Sequence, residues 1–121
     1  MKITELRPML WTEDLKGAVD FYVDVLGFTC GELNEDWGWA SLRLDAVAIM
    51  LARPFESVKY EKLGFTGWFY FNTDDVDAFW KKLKDKARLC YGIENFHYGM
   101  REFAIYDNNG YLLQFGQEIA A

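Results

Sequence analysis

Residues 98–116 read Tyr-Gly-Met-Arg-Glu-Phe-Ala-Ile-Tyr-Asp-Asn-Asn-Gly-Tyr-Leu-Leu-Gln-Phe-Gly, and this stretch decides the fold. Two apolar-rich runs, Met100 to Tyr106 and Tyr111 to Phe115, flank the polar sequence Asp107 to Gly110. Asparagine and glycine tolerate the positive φ that a tight turn requires. The stretch therefore predicts a β-hairpin.

The order of residues in this hairpin is also specific. An aromatic-Gly-Met-Arg-Glu-Phe strand, an Asp-x-x-Gly turn and a Leu-Leu-x-Phe-Gly strand follow one another. Together they resemble the closing hairpin of bleomycin-resistance proteins in the glyoxalase/bleomycin-resistance/extradiol-dioxygenase superfamily, which has the vicinal oxygen chelate fold. That family often has proline after the aspartate where this chain has Asn108, a change that leaves the turn intact.

The chain divides into two similar modules, at about 1–54 and 65–121, joined by a polar connection at about 55–64. Five apolar positions of a predicted helix after Asp14 recur 61 residues later in a predicted helix after Asp75. They are Leu15, Ala18, Val19, Tyr22 and Leu26, followed by Val76, Phe79, Trp80, Leu83 and Ala87. Thr12 and Thr73 repeat at the same offset, so we infer an internal duplication.

Alternation and turn residues predict the strands around these helices. The predicted strands of module one are Ile3–Trp11, Phe28–Leu33, Trp37–Leu44 and Val47–Ala52, and those of module two are Trp68–Asn72, Leu89–Ile93 and the two strands of the hairpin. Pro8 interrupts the first strand and places it at an edge or a bulge. Gly27 ends the helix of module one. Periodicity alone therefore predicts an α+β protein with a duplicated βαβββ unit. The resemblance implies more: a curled, eight-stranded mixed sheet with the helices outside and a concave trough.

Length and charge limit the function. The 121 residues suit one domain, and 18% of them are aromatic, which favours a core, a subunit interface or an aromatic-lined pocket. A net charge of −6 without a Lys/Arg stripe argues against a nucleic-acid partner. The charge favours a cationic ligand, with plain solubility as the alternative. No apolar run approaches the ~20 residues that span a bilayer, so no membrane partner is expected.

The two cysteines and the absence of a signal-like N-terminus predict a cytoplasmic protein with reduced thiols. Cys30 and Cys90 both fall in predicted strands, which favours small buried side chains over nucleophiles. A cysteine nucleophile would also need a nearby histidine, and the chain has only His97.

The resemblance also implies four positions at which metal-dependent members of the superfamily place their ligands. The 61-residue repeat maps the first-strand positions to Arg7 and Trp68. The turn glycine Gly110 places the next position at Gln114, and the corresponding turn at Asp45-Ala46 places the last at Met50. Arginine and tryptophan offer no lone pair to a divalent cation, methionine suits soft ions, and one glutamine is too weak alone. We therefore expect no metal cofactor.

A different metal site could in principle use His97, Glu102 and Asp107. Glu102 and Asp107 are an odd number of residues apart, so they would point to opposite sides of one strand. This spacing argues against the site.

These observations predict a non-enzymatic protein of the bleomycin-resistance type, which sequesters a bulky, aromatic, cationic ligand in its trough. The predicted ligand-binding residues are Trp11, Trp39, Met50, Trp68, Tyr70, Arg101, Phe103 and Gln114, with Ser41, Arg43 and Ala52 in the same wall. The alternatives are a metal-dependent glyoxalase-like lyase, isomerase or dioxygenase, and a regulatory or structural protein that uses its aromatic surface for protein contacts.

The expected partner is a small aromatic or glycopeptide-like molecule, and whether it is bleomycin stays open. The resemblance implies a bacterial antibiotic-resistance protein that acts as a homodimer. The sequence leaves open whether residues 54–65 close over the trough.

Overall fold

A computed structural model describes residues 1–54, 56, 59–65 and 67–120. The chain forms two compact units, residues 1–63 and 64–121. The predicted connection at 55–64, and with it the question of a lid at 54–65, lies partly outside the described residues.

The first unit is a four-stranded mixed sheet with one helix on it. Its elements are β1 (Met9–Trp11), α1 (Leu15–Asp20), β2 (Thr29–Asn34), β3 (Trp39–Leu44) and β4 (Val47–Ala52). The strand order is β1-β4-β3-β2, and β1 runs parallel to β4. Strand β1 is shorter than predicted but lies at the edge of the sheet, as Pro8 indicated.

A π-helical segment, Phe21–Leu26, continues α1 and was not predicted. Gly27 ends it in the left-handed conformation at φ 92°, and the Phe28 N–H then donates to the Tyr22 carbonyl at 2.8 Å. This bond satisfies a carbonyl that the end of the helix would otherwise leave unpaired.

The second unit has the same order of elements. They are β5 (Phe69–Asn72), α2 (Val76–Leu83), β6 (Arg88–Asn95), β7 (Met100–Tyr106) and β8 (Leu112–Glu118). The strand order is β5-β8-β7-β6, and β5 runs parallel to β8. Two βαβββ units confirm the predicted α+β class.

The start of each helix shows the duplication in atomic detail. The Asp14 carboxylate accepts from the Gly17 N–H at 3.0 Å, and the Asp75 carboxylate accepts from the Ala78 N–H at 3.1 Å. The hydroxyl of the threonine two residues before each aspartate accepts from that aspartate's own N–H at 3.1 Å. Each bond satisfies a backbone donor that the helix itself cannot.

Each sheet has one face packed against its helix. In the first unit this face carries Leu10, Ala40, Leu42, Ile49 and Leu51, all at most 5% exposed. In the second unit the rings of Phe79 and Trp80 from α2 pack on Phe115 and Phe103, with centroids 5.3 Å apart in both pairs. Alternation along the strands leaves the opposite face of each sheet uncovered by a helix of its own unit.

Both cysteines are free thiols on strands. Both lie on edge strands; Cys30 is half-buried and Cys90 is exposed. The prediction of a buried Cys90 is therefore wrong. The Tyr106 hydroxyl donates to its sulfur at 3.3 Å.

Candidate functional site

The uncovered face of the second sheet is set by the register of its strands. Gln114 on β8 lies beside Tyr70 on β5 and Ala104 on β7, and Ala104 pairs in turn with Tyr91 on β6. Directly opposite residues share a face. Tyr70, Gln114 and Tyr91 therefore lie on the face away from α2, and Glu102 joins them because it is two residues from Ala104.

Glu102 is the most unusual residue of this face. Its side chain is 0% exposed, and neither carboxylate oxygen has a hydrogen-bond partner within the described part of the chain. Buried polar groups in proteins are nearly always hydrogen-bonded, so an unpaired buried carboxylate requires an explanation. An incoming ligand would supply one.

Only one of the two polar atoms of the Gln114 side chain has a hydrogen-bond partner among the described residues. Its Nε2 donates to the Tyr91 hydroxyl at 2.8 Å, while its Oε1 is buried and accepts no hydrogen bond from any described residue. Glu102 and Gln114 thus present three unused acceptor atoms on one face of the sheet.

Tyr70 lies across Gly116, the residue paired with Glu102 in the register. A methyl group built on Gly116 would lie 1.9 Å from the Tyr70 hydroxyl oxygen. The absence of a side chain at this position of β8 is what allows the tyrosine ring to approach the sheet. Tyr70 is itself 36% exposed, so it lies between Gly116 and the surface.

Both tyrosine hydroxyls lie close enough to the Glu102 carboxylate for it to shift their pKa. Burial raises the pKa of Tyr70 above its ordinary value of 10, and the nearby Glu102 carboxylate raises it further. Burial also raises the pKa of Tyr91; its hydrogen bond from Gln114 opposes this shift, and the Glu102 charge reinforces it. Both hydroxyls therefore stay protonated, and able to donate, to higher pH than a free tyrosine.

The raised pKa of Tyr70 predicts how stability depends on alkaline pH. Above about pH 10 the unfolded chain loses a Tyr70 proton that the folded chain keeps, so the free energy of unfolding should fall as pH rises. In Tyr70→Phe this fall should be shallower, as measured by urea unfolding between about pH 9 and pH 11. Trp68→Phe, a change two residues before Tyr70 that removes no titratable group, should keep the slope of the unmodified protein. Equal slopes in all three proteins would contradict the prediction.

Gly116→Ala should displace the Tyr70 ring, because the added methyl group and the hydroxyl cannot share the space. We expect the pKa of Tyr70 to move back towards 10, as followed by tyrosinate absorbance. Gly92→Ala is the matched control on β6, since its methyl group would lie 3.6 Å from the Trp80 ring, an ordinary contact. An unchanged tyrosine titration in Gly116→Ala would show that Tyr70 does not depend on this glycine.

Arg101 and Phe103 do not lie on this face, so the prediction that they line the ligand wall is wrong. Phe103 is 0% exposed and packs under α2 against Trp80 and Phe115. Arg101 donates to the Asp77 carboxylate of α2 at 2.9 Å. The register pairs Gln114 with Ala104, which gives the uncovered face to the even-numbered residues of β7.

The uncovered face of the first sheet carries the other predicted wall residues. Trp39 pairs with Ala52 and Ser41 with Met50, while Trp11 lies beside Ala52. The Trp39 Nε1–H group donates to the Met50 sulfur at 3.3 Å. The structure therefore brings Trp11, Trp39 and Met50 together on one face, and their role in binding a ligand stays a prediction.

A chain of exposed charges lies at the end of this face. Arg43 on β3 pairs with the Glu5 carboxylate at 2.6 Å, and Arg7 pairs with the same carboxylate at 2.8 Å. The Arg7 guanidinium group is thus paired with a carboxylate of its own chain. The two hydrogen bonds from arginine lower the pKa of Glu5.

A sequence model of the Glyoxalase/Bleomycin resistance protein/Dioxygenase superfamily matches residues 5–115. The chain belongs to this superfamily. The match spans both βαβββ units, so the relationship inferred from the closing hairpin holds for nearly the whole chain. The bleomycin-resistance branch stays a prediction.

Solved structures share the superfamily fold with this chain. A protein of unknown function from Agrobacterium tumefaciens str. C58 is 22% identical, with 98% of this chain and 97% of that chain covered and a TM-score of 0.77. A glyoxalase/bleomycin resistance protein/dioxygenase from Nocardioides is 16% identical, with 100% and 87% covered and a TM-score of 0.77. A lactoylglutathione lyase from Agrobacterium tumefaciens is 19% identical, with 94% and 92% covered and a TM-score of 0.70. These identities show the fold alone. No curated protein matches the chain significantly.

The four positions that the superfamily resemblance assigns to metal ligands do not fit a divalent cation. Arg7 is ion-paired with Glu5, and the Met50 sulfur accepts from Trp39. Trp68 is an indole that is 57% exposed, and Gln114 Oε1 is the one oxygen among the four side chains. Arginine and tryptophan have no lone pair to offer to a cation. The four side chains together therefore do not supply the set of oxygen or nitrogen ligands that divalent ions prefer.

The alternative site from His97, Glu102 and Asp107 is not formed either. Among the described residues, no three His, Cys, Asp or Glu side chains come together in a way that could hold a metal ion. Asp107 instead accepts from the backbone N–H groups of Asn109 and Tyr111 at 2.8 and 2.9 Å and so shapes the hairpin loop.

Within the described ranges, every helix is too short or too polar to cross a membrane.

Proposed function

We propose that the protein is a non-enzymatic binding protein of the bleomycin-resistance type, which sequesters a bulky, aromatic, cationic small molecule. The observation that carries the proposal is the buried Glu102 carboxylate, which has no hydrogen-bond partner among the described residues. A buried negative charge favours a positive charge as its partner. A cationic ligand on the uncovered face of the second sheet supplies that charge.

The surroundings of Glu102 suit a ligand that is also aromatic. Tyr70 and Tyr91 lie on the same face, and Trp68, directly before β5, has 57% of its surface exposed. Aromatic rings bind flat apolar molecules by stacking, and they attract cations over their faces. On the first sheet, the face carrying Trp11 and Trp39 offers a second surface of the same kind.

Sequestration, rather than catalysis, follows from the side chains at the metal positions. The characteristic chemistry of metal-dependent superfamily members needs an ion that polarises the substrate. The ligands of such an ion are not provided by the side chains at these positions, which are Arg7, Met50, Trp68 and Gln114. The same side chains leave aromatic surface available for binding a small molecule.

The test is whether a ligand binds and comes back unchanged. Purified protein should show saturable quenching of tryptophan fluorescence with bleomycin or with a planar cationic dye such as ethidium. Mass spectrometry of the compound recovered after incubation should show its original mass. A chemically altered product, or stoichiometric Zn, Ni, Fe or Mn in protein purified without chelator, would overturn the proposal.

The homodimer implied by the family resemblance stays a prediction. Sedimentation equilibrium should give twice the mass of the 14.2 kDa chain. A monomer at micromolar concentration would contradict it.

A further inference from the structure

On this face of the second sheet, the buried side-chain atoms that lack a hydrogen-bond partner among the described residues are all acceptors. Both Glu102 oxygens and the Gln114 Oε1 atom are buried without a donor among the residues that the structure describes. The one amide nitrogen between them, Gln114 Nε2, already donates to the Tyr91 hydroxyl. A complementary group must therefore bring several N–H or O–H donors of its own.

The negative charge of Glu102 further limits the chemical groups that could bind here. A quaternary ammonium ion carries the required positive charge but has no hydrogen to donate, and it would leave all three acceptors unsatisfied. A neutral aromatic ring offers neither charge nor donors. An amidinium or guanidinium group offers both, because its planar fork of N–H groups matches the two oxygens of a carboxylate.

The position of Tyr70 indicates how such a group would reach the carboxylate. The Glu102 oxygens are sealed from solvent, and the Tyr70 ring lies over the neighbouring Gly116 at 36% exposure. The tyrosine ring packs over this glycine. A ring on a half-exposed edge strand can turn outward at little cost.

We propose that Glu102 and Gln114 form a subsite for a planar amidinium or guanidinium group, with the Glu102 oxygens accepting two of its N–H bonds and Gln114 Oε1 a third. This inference rests on the proposed function and specifies the cationic end of its ligand. Tyr70 turns aside as the group enters and then covers it.

Three probes of similar size separate the contributions of charge and of hydrogen-bond donors. Benzamidine has a planar cation with N–H donors, benzyltrimethylammonium has a cation without them, and benzyl alcohol is neutral. Isothermal titration calorimetry on the full chain should show benzamidine binding about 10-fold or more tightly than benzyltrimethylammonium, since hydrogen bonds to charged groups are among the strongest. Equal affinities for the two cations would overturn the inference and leave the proposed function in place. If neither cation binds and bleomycin and ethidium also fail to bind, the proposed function itself fails.

Two variants assign the effect to the named atoms. Glu102→Gln keeps the shape of the side chain and removes its charge, so it should weaken benzamidine binding about 10-fold or more and change benzyl alcohol binding less than about 3-fold. Glu94→Gln is the matched control, because Glu94 lies opposite Glu102 on β6 but is exposed. Gln114→Leu removes the third acceptor and should weaken benzamidine binding several-fold even if Glu102→Gln fails to fold. Unchanged benzamidine affinity in the folded variants would overturn the subsite.

Discussion

Phe103→Ala is expected to lower the free energy of unfolding by about 3 to 5 kcal/mol. The Phe103 ring is 0% exposed and packs between Trp80 of α2 and Phe115 of β8, with centroids 5.3 Å from each. Truncation removes a large apolar group and leaves a cavity where helix and sheet meet. Urea denaturation followed by circular dichroism measures the loss.

Trp68→Ala is the control for this change. Trp68 is the larger ring, but it lies directly before β5 with 57% of its surface exposed. Its removal should cost less than about 1 kcal/mol, because exposed positions contribute little to stability. If Phe103→Ala left stability intact but abolished ligand binding, the original prediction of Phe103 as a ligand contact would be correct.

Glu102→Leu is expected to raise the free energy of unfolding by about 1 to 3 kcal/mol. An unsatisfied buried carboxylate costs free energy in the folded state, and a leucine of similar size removes that cost. The same change should abolish binding of cationic ligands. A gain in stability with a loss of function is typical of residues that are kept for binding.

Glu94→Leu provides the comparison, because it removes a carboxylate from the adjacent strand at an exposed position. Its effect on stability should lie within about 0.5 kcal/mol. A loss of stability in Glu102→Leu larger than in Glu94→Leu would show that the Glu102 carboxylate has a stabilising partner in the free protein.

Local signals were sufficient to predict most of the fold. Strands β4 and β7 begin and end where alternation and turn residues placed them. Both helices begin after the predicted capping aspartates, Asp14 and Asp75. These features depend on neighbours within a few residues, which a single sequence displays directly.

The face of β7 was predicted wrongly because it depends on the register with β8. The hairpin loop comprises the five residues from Asp107 to Tyr111, and it pairs Tyr106 with Leu112. This register pairs Phe103 with Phe115 and leaves Glu102 on the other side. The alternation of Phe103 and Ile105 with smaller or charged residues was the signal that could have revealed this.

Tyr91 was not predicted as a site residue, and alternation alone could not have found it. Leu89 pairs with Ile105 on the helix side, but Tyr91 pairs with Ala104 on the uncovered side, because β6 is irregular between them. Such a bulge breaks the two-residue period. It becomes visible only when the partner strand is known.

The strand order has a consequence for how the polypeptide acquires its shape during synthesis. In the second unit, β8 lies between β5 and β7, although it follows both in the chain. A ribosome therefore makes the flanking strands first, and the nascent sheet has a gap until its middle strand emerges. A chain that ended before Leu112 would lack β8, so β5 and β7 would have no strand between them to pair with. The first unit would already have all its strands.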